Sequence, residues 1–238
     1  MSTPSMRARV RAELTEEIKD AARRRLATDG ANLVLRAVAR DLGMVPSALY
    51  RYFASRDQLL TALITDAYNA LGAEAEAAEA RVKRGDLRGR WMAVCRAARD
   101  WALANPAEYT LIYGSPVPGY AAPSDTVSPA TRVVLLLVAI LADGSTTGQR
   151  AAKPARRQPA ALRPDLKRLL EQWPEDAPMP PPSGPRAETI LAGALTAWVH
   201  LFGLLSFEVF GRLDDMIVTR AEYFDHQMQV MADLAGLP

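Results

Sequence analysis

The chain has 238 residues, of which 49% are hydrophobic and 24% charged. That is enough to bury a real core in one or two domains, and it argues against a disordered polypeptide. A single cysteine, Cys95, excludes an internal disulfide and makes the cytoplasm the expected compartment. The net charge of +2 divides unevenly: eleven Arg and Lys face seven acids over residues 1–60, leaving the remainder at −2. A basic head on a faintly acidic body fits a polyanion-binding end.

The start, "MSTPSMRARVRAEL", is basic but no apolar run follows it, so no secretion signal is expected. Thr15, followed by Glu16 and Glu17, reads as a helix start, with a capping residue and then acids where the helix dipole favours them. Leu14, Ile18, Ala21, Ala22 and Leu26 follow at helical spacing, and Gly30 supplies the stop. Leu35, Val38, Ala39 and Leu42 form a second, shorter apolar stripe ended by Gly43. Pro46 then suits the first position of another short helix, with Leu49 and Phe53 inward. Ser55 and Gln58 form a capping box that opens a longer helix with Leu59, Leu60, Leu63, Ile64 and Ala67 inward.

Two short helices joined by a tight turn make a helix-turn-helix unit, whose second helix enters the major groove N-terminus first. In this chain that points Ser47 and its neighbours at base edges. With Leu49 and Phe53 inward, Tyr50 and Tyr52 are expected on the outer face beside Arg51, with Arg56 opening the next helix. Hydroxyls, guanidinium groups and helix N-termini are the usual donors to phosphate oxygens. The candidate DNA-binding residues are Arg36, Pro46, Ser47, Tyr50, Arg51, Tyr52 and Arg56. Packing between helices is the competing role for the two tyrosines.

The stretch "LRAVARDLGMVPSALYRYFASRDQLLTALI" resembles the DNA-binding signature of the TetR family of bacterial transcriptional regulators. The resemblance covers about the first seventy residues. It implies a homodimeric, ligand-controlled repressor with an all-helical body, in which the positions of Tyr50 and Arg56 contact phosphate. Two positions depart from the pattern. Val34 and Val45 stand where the family usually places a Ser or Thr hydroxyl, and valine neither caps a helix nor donates to a phosphate. Asn32 is a substitute cap for the first of these.

Beyond residue 60, "RWMAVCRAARDWALANP" places Trp91, Val94, Cys95, Ala98, Trp101 and Ala102 on one helical face, ended by Asn105 and Pro106. A short helix then breaks into the loop "YGSPVPGY", whose wording resembles a loop in actinobacterial members of the family. Met92, Cys95, Trp101, Tyr109 and Tyr113 are the candidate lining of an effector pocket, against the alternative that they are plain core.

Residues 143–186 hold nine of the 17 prolines, too many for a continuous helix. Only Arg163 to Trp173 reads as a helix within this long, partly mobile insertion. Arg156 and Arg157 there read as a solvated charge run rather than a second nucleic-acid contact.

The last two helices are expected at Ala187 to Phe210 and Asp214 to Leu234, packed antiparallel. The first is apolar nearly all round, which points to a dimer interface at Trp198, Leu201, Phe202 and Leu205. Its sequence also resembles the end of a C-terminal domain of the family named for Trp, His and Gly. Trp198 and Gly203 match, but Phe202 stands in the histidine's place. The run from Thr189 to Gly211 is long enough to span a membrane, but His200, Ser206 and Glu208 inside it favour a buried helix instead.

No metal-ligand spacing, phosphate loop or nucleophile signature is visible, so no enzyme, metal or cofactor is expected. The expected architecture is all-α: a three-helix DNA-binding domain over residues 1–60, then a helical ligand-binding and dimerisation bundle over 61–238. The expected partners are a palindromic operator in double-stranded DNA, an unknown small-molecule effector and a second copy of the chain, with no membrane. The rival reading is a helical ligand-binding or interaction protein that has lost DNA binding.

Overall fold

Nothing between Met6 and Leu14 breaks a helix, and the first helix accordingly starts well before the Thr15 signal. In the computed structural model, residues 5–30, 33–146, 159–175, 177 and 179–237 are described. Helix α1 spans Met6–Asp29 and is capped by Ser5, whose Oγ accepts from the Ala8 amide at 3.3 Å. Thr15 lies inside α1 and donates its hydroxyl back to the Arg11 carbonyl at 2.8 Å, a bond open to any mid-helix threonine. Gly30 ends α1 with a φ of 59°.

The remaining helices are α2 (Leu35–Asp41), α3 (Pro46–Leu49), α4 (Arg56–Ala80), α5 (Leu87–Ala104), α6 (Pro106–Tyr113), α7 (Val127–Thr146), α8 (Arg163–Glu171), α9 (Ala187–Val209) and α10 (Arg220–Leu234). The protein is all-helical, with no strand among the described residues.

Two compact units divide the chain. The first comprises residues up to Ala67 together with Asn105–Thr126; the second comprises Tyr68–Ala104 and the residues from Val127 onward. A single cut after residue 60 does not describe this division, because α6 and its loop return to the first unit. Val117 is buried in the core built by Ile18, Leu26, Val38, Leu49, Phe53 and Leu60, with Ala107, Leu111 and Tyr120 packed against it. The Tyr120 and Thr61 hydroxyls share a hydrogen bond of 2.9 Å.

Within the second unit, α7 packs on α5 and α9, α10 on α5 and α9, and α8 on α9. The apolar face of α5 lies inside as its spacing predicts, and the Trp91 indole donates to the Met228 carbonyl at 2.9 Å. One charge lies on the buried side of that helix. Arg90 is 1% exposed; its Nη1 donates to Asp143 at 2.7 Å and its Nε pairs with Glu79. Helix α8 seats Leu166 in the core, so the middle of the proline-rich segment is folded. The Asn32, Arg156 and Arg157 expectations fall outside the described residues.

The last helix begins at Arg220 rather than Asp214. Gly211, at a φ of 69°, reverses the chain after α9, and the Ile217 amide closes a turn onto the Leu213 carbonyl at 2.9 Å. Helix α9 and the stretch that contains α7 are each long and apolar enough to cross a bilayer. Each is a packed helix of the second unit, and the one acidic side chain buried on α9, Glu208, is held by Arg99.

Candidate nucleic-acid interface

The turn between α2 and α3 is built by backbone. Gly43 takes a φ of 64°, and the Met44 amide bonds to the Ala39 carbonyl at 2.8 Å, reversing the chain in two residues. Pro46 then opens α3 at a position that needs no amide donor. The helical bonding runs past Leu49, because the Phe53 amide reaches the Leu49 carbonyl at 3.1 Å. Leu49 and Phe53 are buried in the first unit's core and act as the seat. Pro46, Ser47, Tyr50 and Arg51 are all exposed on the opposite side, with Tyr50 at 45%.

The seat is braced from α1. The Arg25 guanidinium forks onto Asp41 at the end of α2, with Nε to Oδ2 at 2.6 Å and Nη2 to Oδ1 at 2.8 Å, while Nη1 holds Asp29 at 2.8 Å. The hydrogen bonds from Arg25 keep the carboxyls of Asp41 and Asp29 below the usual aspartate range. Asp66 of α4 receives both Lys19 at 2.8 Å and Arg23 at 2.7 Å from α1. The elements carrying the exposed turn are therefore fixed by charge as well as by apolar packing.

Arg36, Tyr50 and Arg56 line one concavity of about 580 Å³, together with Leu33, Val34 and Ser55. Three of the seven candidate residues thus meet at the junction of α2, α3 and α4. The Arg56 Nε also donates to the Leu33 carbonyl at 3.1 Å, so this side chain holds the loop before α2. The start of α4 is capped nearly as its sequence predicts: Ser55 Oγ accepts from the Gln58 amide at 3.1 Å, and Gln58 reaches back to the Ala54 amide at 2.8 Å. Tyr52 differs from Tyr50 in being half-buried, with the Arg11 guanidinium 5.4 Å from its ring centroid. Val34 and Val45 sit at the N-cap positions of α2 and α3 with no side-chain cap, both exposed.

The five proposed pocket residues are divided between the units. Met92, Cys95 and Trp101 are buried on α5 in the second unit. Tyr109 is fully buried on α6 in the first, with the Tyr113 ring 5.2 Å away. The second unit does hold an open cavity of about 550 Å³, which none of the five lines. Its walls come from α4, α7 and the segment after α8, including Asn69, Glu76, Glu79, Arg132, Leu136 and Pro174. Arg132 closes a double bridge to Glu76 at 2.8 and 2.6 Å, and its Nη1 reaches the Asn69 side chain at 3.0 Å. Helical spacing on α5 cannot reveal this cavity, because the residues that line it lie on helices far apart in sequence.

Three of the four residues expected at a dimer interface are interior. Leu201, Phe202 and Leu205 are buried in the second unit, with only Trp198 partly exposed. Neighbouring helices of the same chain take up that face of α9, which its uniform apolarity concealed. The large apolar side chains that α9 leaves uncovered are Val199 at 63% and Phe207 at 57%, continued by Phe210 just past its end.

Comparison with known proteins agrees with this geometry. Residues 18–63 match the family described as bacterial regulatory proteins, tetR family, and residues 91–231 match the tetracyclin repressor-like C-terminal domain. The HTH-type transcriptional regulator Rv1816 of Mycobacterium tuberculosis is 36% identical over 225 residues, covering 93% of this chain and 92% of its own. The HTH-type transcriptional regulator Mb1846 of Mycobacterium bovis matches to the same extent. Among solved structures, the regulatory protein SCO4313 superposes with a TM-score of 0.75 at 34% identity, covering 96% of this chain and 98% of its own. A tetR-family regulatory protein from Rhodococcus RHA1, at 16% identity and a TM-score of 0.62, shares the fold over 94% of this chain and 97% of its own.

Proposed function

The chain belongs to the TetR family of bacterial transcriptional regulators, and from that premise we propose how it meets DNA. It is a DNA-binding transcription regulator. Members of the family are soluble, act as dimers, bind small-molecule effectors and are generally not enzymes. Our reading for this chain is a cytoplasmic homodimeric repressor that holds a palindromic operator and is released when an effector enters the C-terminal bundle. The observation that carries it is the α3 turn, seated by Leu49 and Phe53 with Pro46, Ser47, Tyr50 and Arg51 turned outward.

In this reading Ser47 reads base edges, while Tyr50, Arg36 and Arg56 address phosphates around the cleft they line, with Arg51 beside them. Tyr52 serves as packing for the turn rather than as a direct contact. The second copy docks along the exposed apolar side of α9, at Val199 and Phe207, beside Trp198. Apolar surface of that kind on a helix is what an isologous interface covers.

Sequencing the genomic DNA bound by the full-length protein tests the reading. The expected result is a short palindrome whose affinity falls steeply with salt. Tyr50→Phe and Arg36→Ala should weaken specific and random duplexes alike, while Ser47→Ala should change which sequences are preferred. No sequence-selective binding would instead favour an interaction protein that has lost DNA binding, the reading to which the uncapped Val34 and Val45 positions point.

A further inference from the structure

The family match to the DNA-binding domain begins at residue 18, but α1 begins at Met6. About three helical turns therefore lie ahead of the part that the helix-turn-helix needs. Three arginines, Arg7, Arg9 and Arg11, stand in the outer half of that extension, and Glu13, Glu16 and Glu17 follow in its inner half, where Glu16 is held by Lys19 at 2.7 Å. Arg9 is matched internally, 3.6 Å from Glu13. Arg7 and Arg11 lie four residues apart, hence on one face, and neither has an acidic partner among the described residues.

Arg11 turns instead toward the end of α3. Its Nη2 donates to the Arg51 carbonyl at 3.1 Å, and its guanidinium lies over the Tyr52 ring, 5.4 Å from the centroid. Arg51 closes the exposed turn and Tyr52 follows it, so Arg11 fastens the extension to the chain that leaves the recognition helix. Arg7 is carried one turn farther out on the same face, exposed and with its charge unspent.

We propose that this extension is an additional duplex-contacting arm, in which Arg11 is a positioning residue that seats the arm on the recognition turn and Arg7 meets a phosphate flanking the groove. The inference rests on the reading that the Pro46–Arg51 turn faces DNA. Charge complementarity selects the partner: duplex DNA presents a phosphate about every 1.7 Å along its axis. An unpaired cation beside a groove-facing turn is matched by that surface.

The test uses the full chain, a fragment selected from genomic DNA, and a scrambled duplex of equal length, titrated with salt. Arg7→Ala is expected to weaken both duplexes and to reduce the slope of log affinity against log salt by about 0.9 per protomer. Arg11→Lys keeps the charge but loses the planar fork over Tyr52. It should leave the slope near wild type while lowering the preference for the selected fragment about fivefold, the worth of one hydrogen bond. Arg11→Ala should show the same loss of preference, with a melting temperature close to wild type because the side chain is exposed.

Wild-type slopes and affinities in Arg7→Ala on both duplexes would overturn the arm. Unchanged preference in both Arg11 variants would overturn the positioning role. Wild-type protein that binds without selectivity would sink the operator reading, yet its salt slope on random duplex would still decide the contribution of Arg7. Wild-type protein that binds neither duplex would overturn both.

Discussion

The pairing of Arg99 with Glu208 offers a quantitative test of the second unit. Arg99 on α5 forks onto Glu208 on α9, Nε to Oε2 at 2.8 Å and Nη2 to Oε1 at 2.5 Å. The two side chains are 16% and 6% exposed, and the guanidinium also lies 5.5 Å from the Phe224 ring centroid on α10. Three helices therefore meet at one ion pair. Glu208→Leu strands a mostly buried cation, a change that typically costs about 3–5 kcal/mol. Arg99 keeps some solvent access, so we place the loss at about 3 kcal/mol, or roughly 6–12 °C in melting temperature for a chain of this size. Arg99→Met strands the more deeply buried carboxylate and should cost about 4 kcal/mol. The double variant Arg99→Met/Glu208→Leu should return to within about 1 kcal/mol of wild type, because neither charge is then left in an apolar setting. Urea unfolding followed by tryptophan fluorescence reads this directly, since Trp91 and Trp101 lie in the same unit. A double variant as unstable as the sum of the singles would refute the reasoning, because the loss would then be one of shape rather than of unpaired charge.

Gly72→Ala removes a helix-weakening glycine from α4 and on an open surface would stabilise by about 1 kcal/mol. Here a Cβ would fall 2.7 Å from the Arg132 Nε and 2.9 Å from its Cβ. A net loss of about 1–2 kcal/mol is expected by thermal unfolding, and a net gain would contradict the close approach. Burial pushes the Cys95 thiol well above its ordinary range, so a thiol reagent should leave native protein unlabelled at neutral pH and label it fully in urea; rapid native labelling would show that α5 opens. Asp41 is held below its usual range by Arg25, so its stabilising effect is present above about pH 4 and is lost as acid protonates the folded carboxyl. Urea midpoints of wild type and Asp41→Asn should accordingly differ at neutral pH and converge below about pH 4, whereas a constant gap would assign the loss to shape.

The helix-turn-helix was legible because its signals are local. Gly30 and Gly43 end helices, Pro46 begins one and Ser55 caps one, each acting within a few residues of itself. Thr15 shows the limit of that logic, because Ser5 and an unbroken run of helix formers outweigh a good local cap. Buried faces were equally readable from spacing: Ile18, Leu49, Leu60 and Trp91 all lie inside as their periodicity demands. The split between Tyr50 and Tyr52 was not readable, because it depends on Arg11, about forty residues earlier in the chain.

By itself the sequence determined the all-helical class and the helix-turn-helix, since period and turn chemistry act over short separations, and the resemblance of residues 35–64 to a known signature pointed to the family. Only the tertiary structure decided that α6 and its loop belong with the first unit, that Leu201, Phe202 and Leu205 face inward, and that Arg90 and Glu208 are buried with partners. Apolarity declares that a residue will be covered. Which neighbour covers it, and which distant carboxylate meets a buried arginine, depends on how helices far apart in sequence cross.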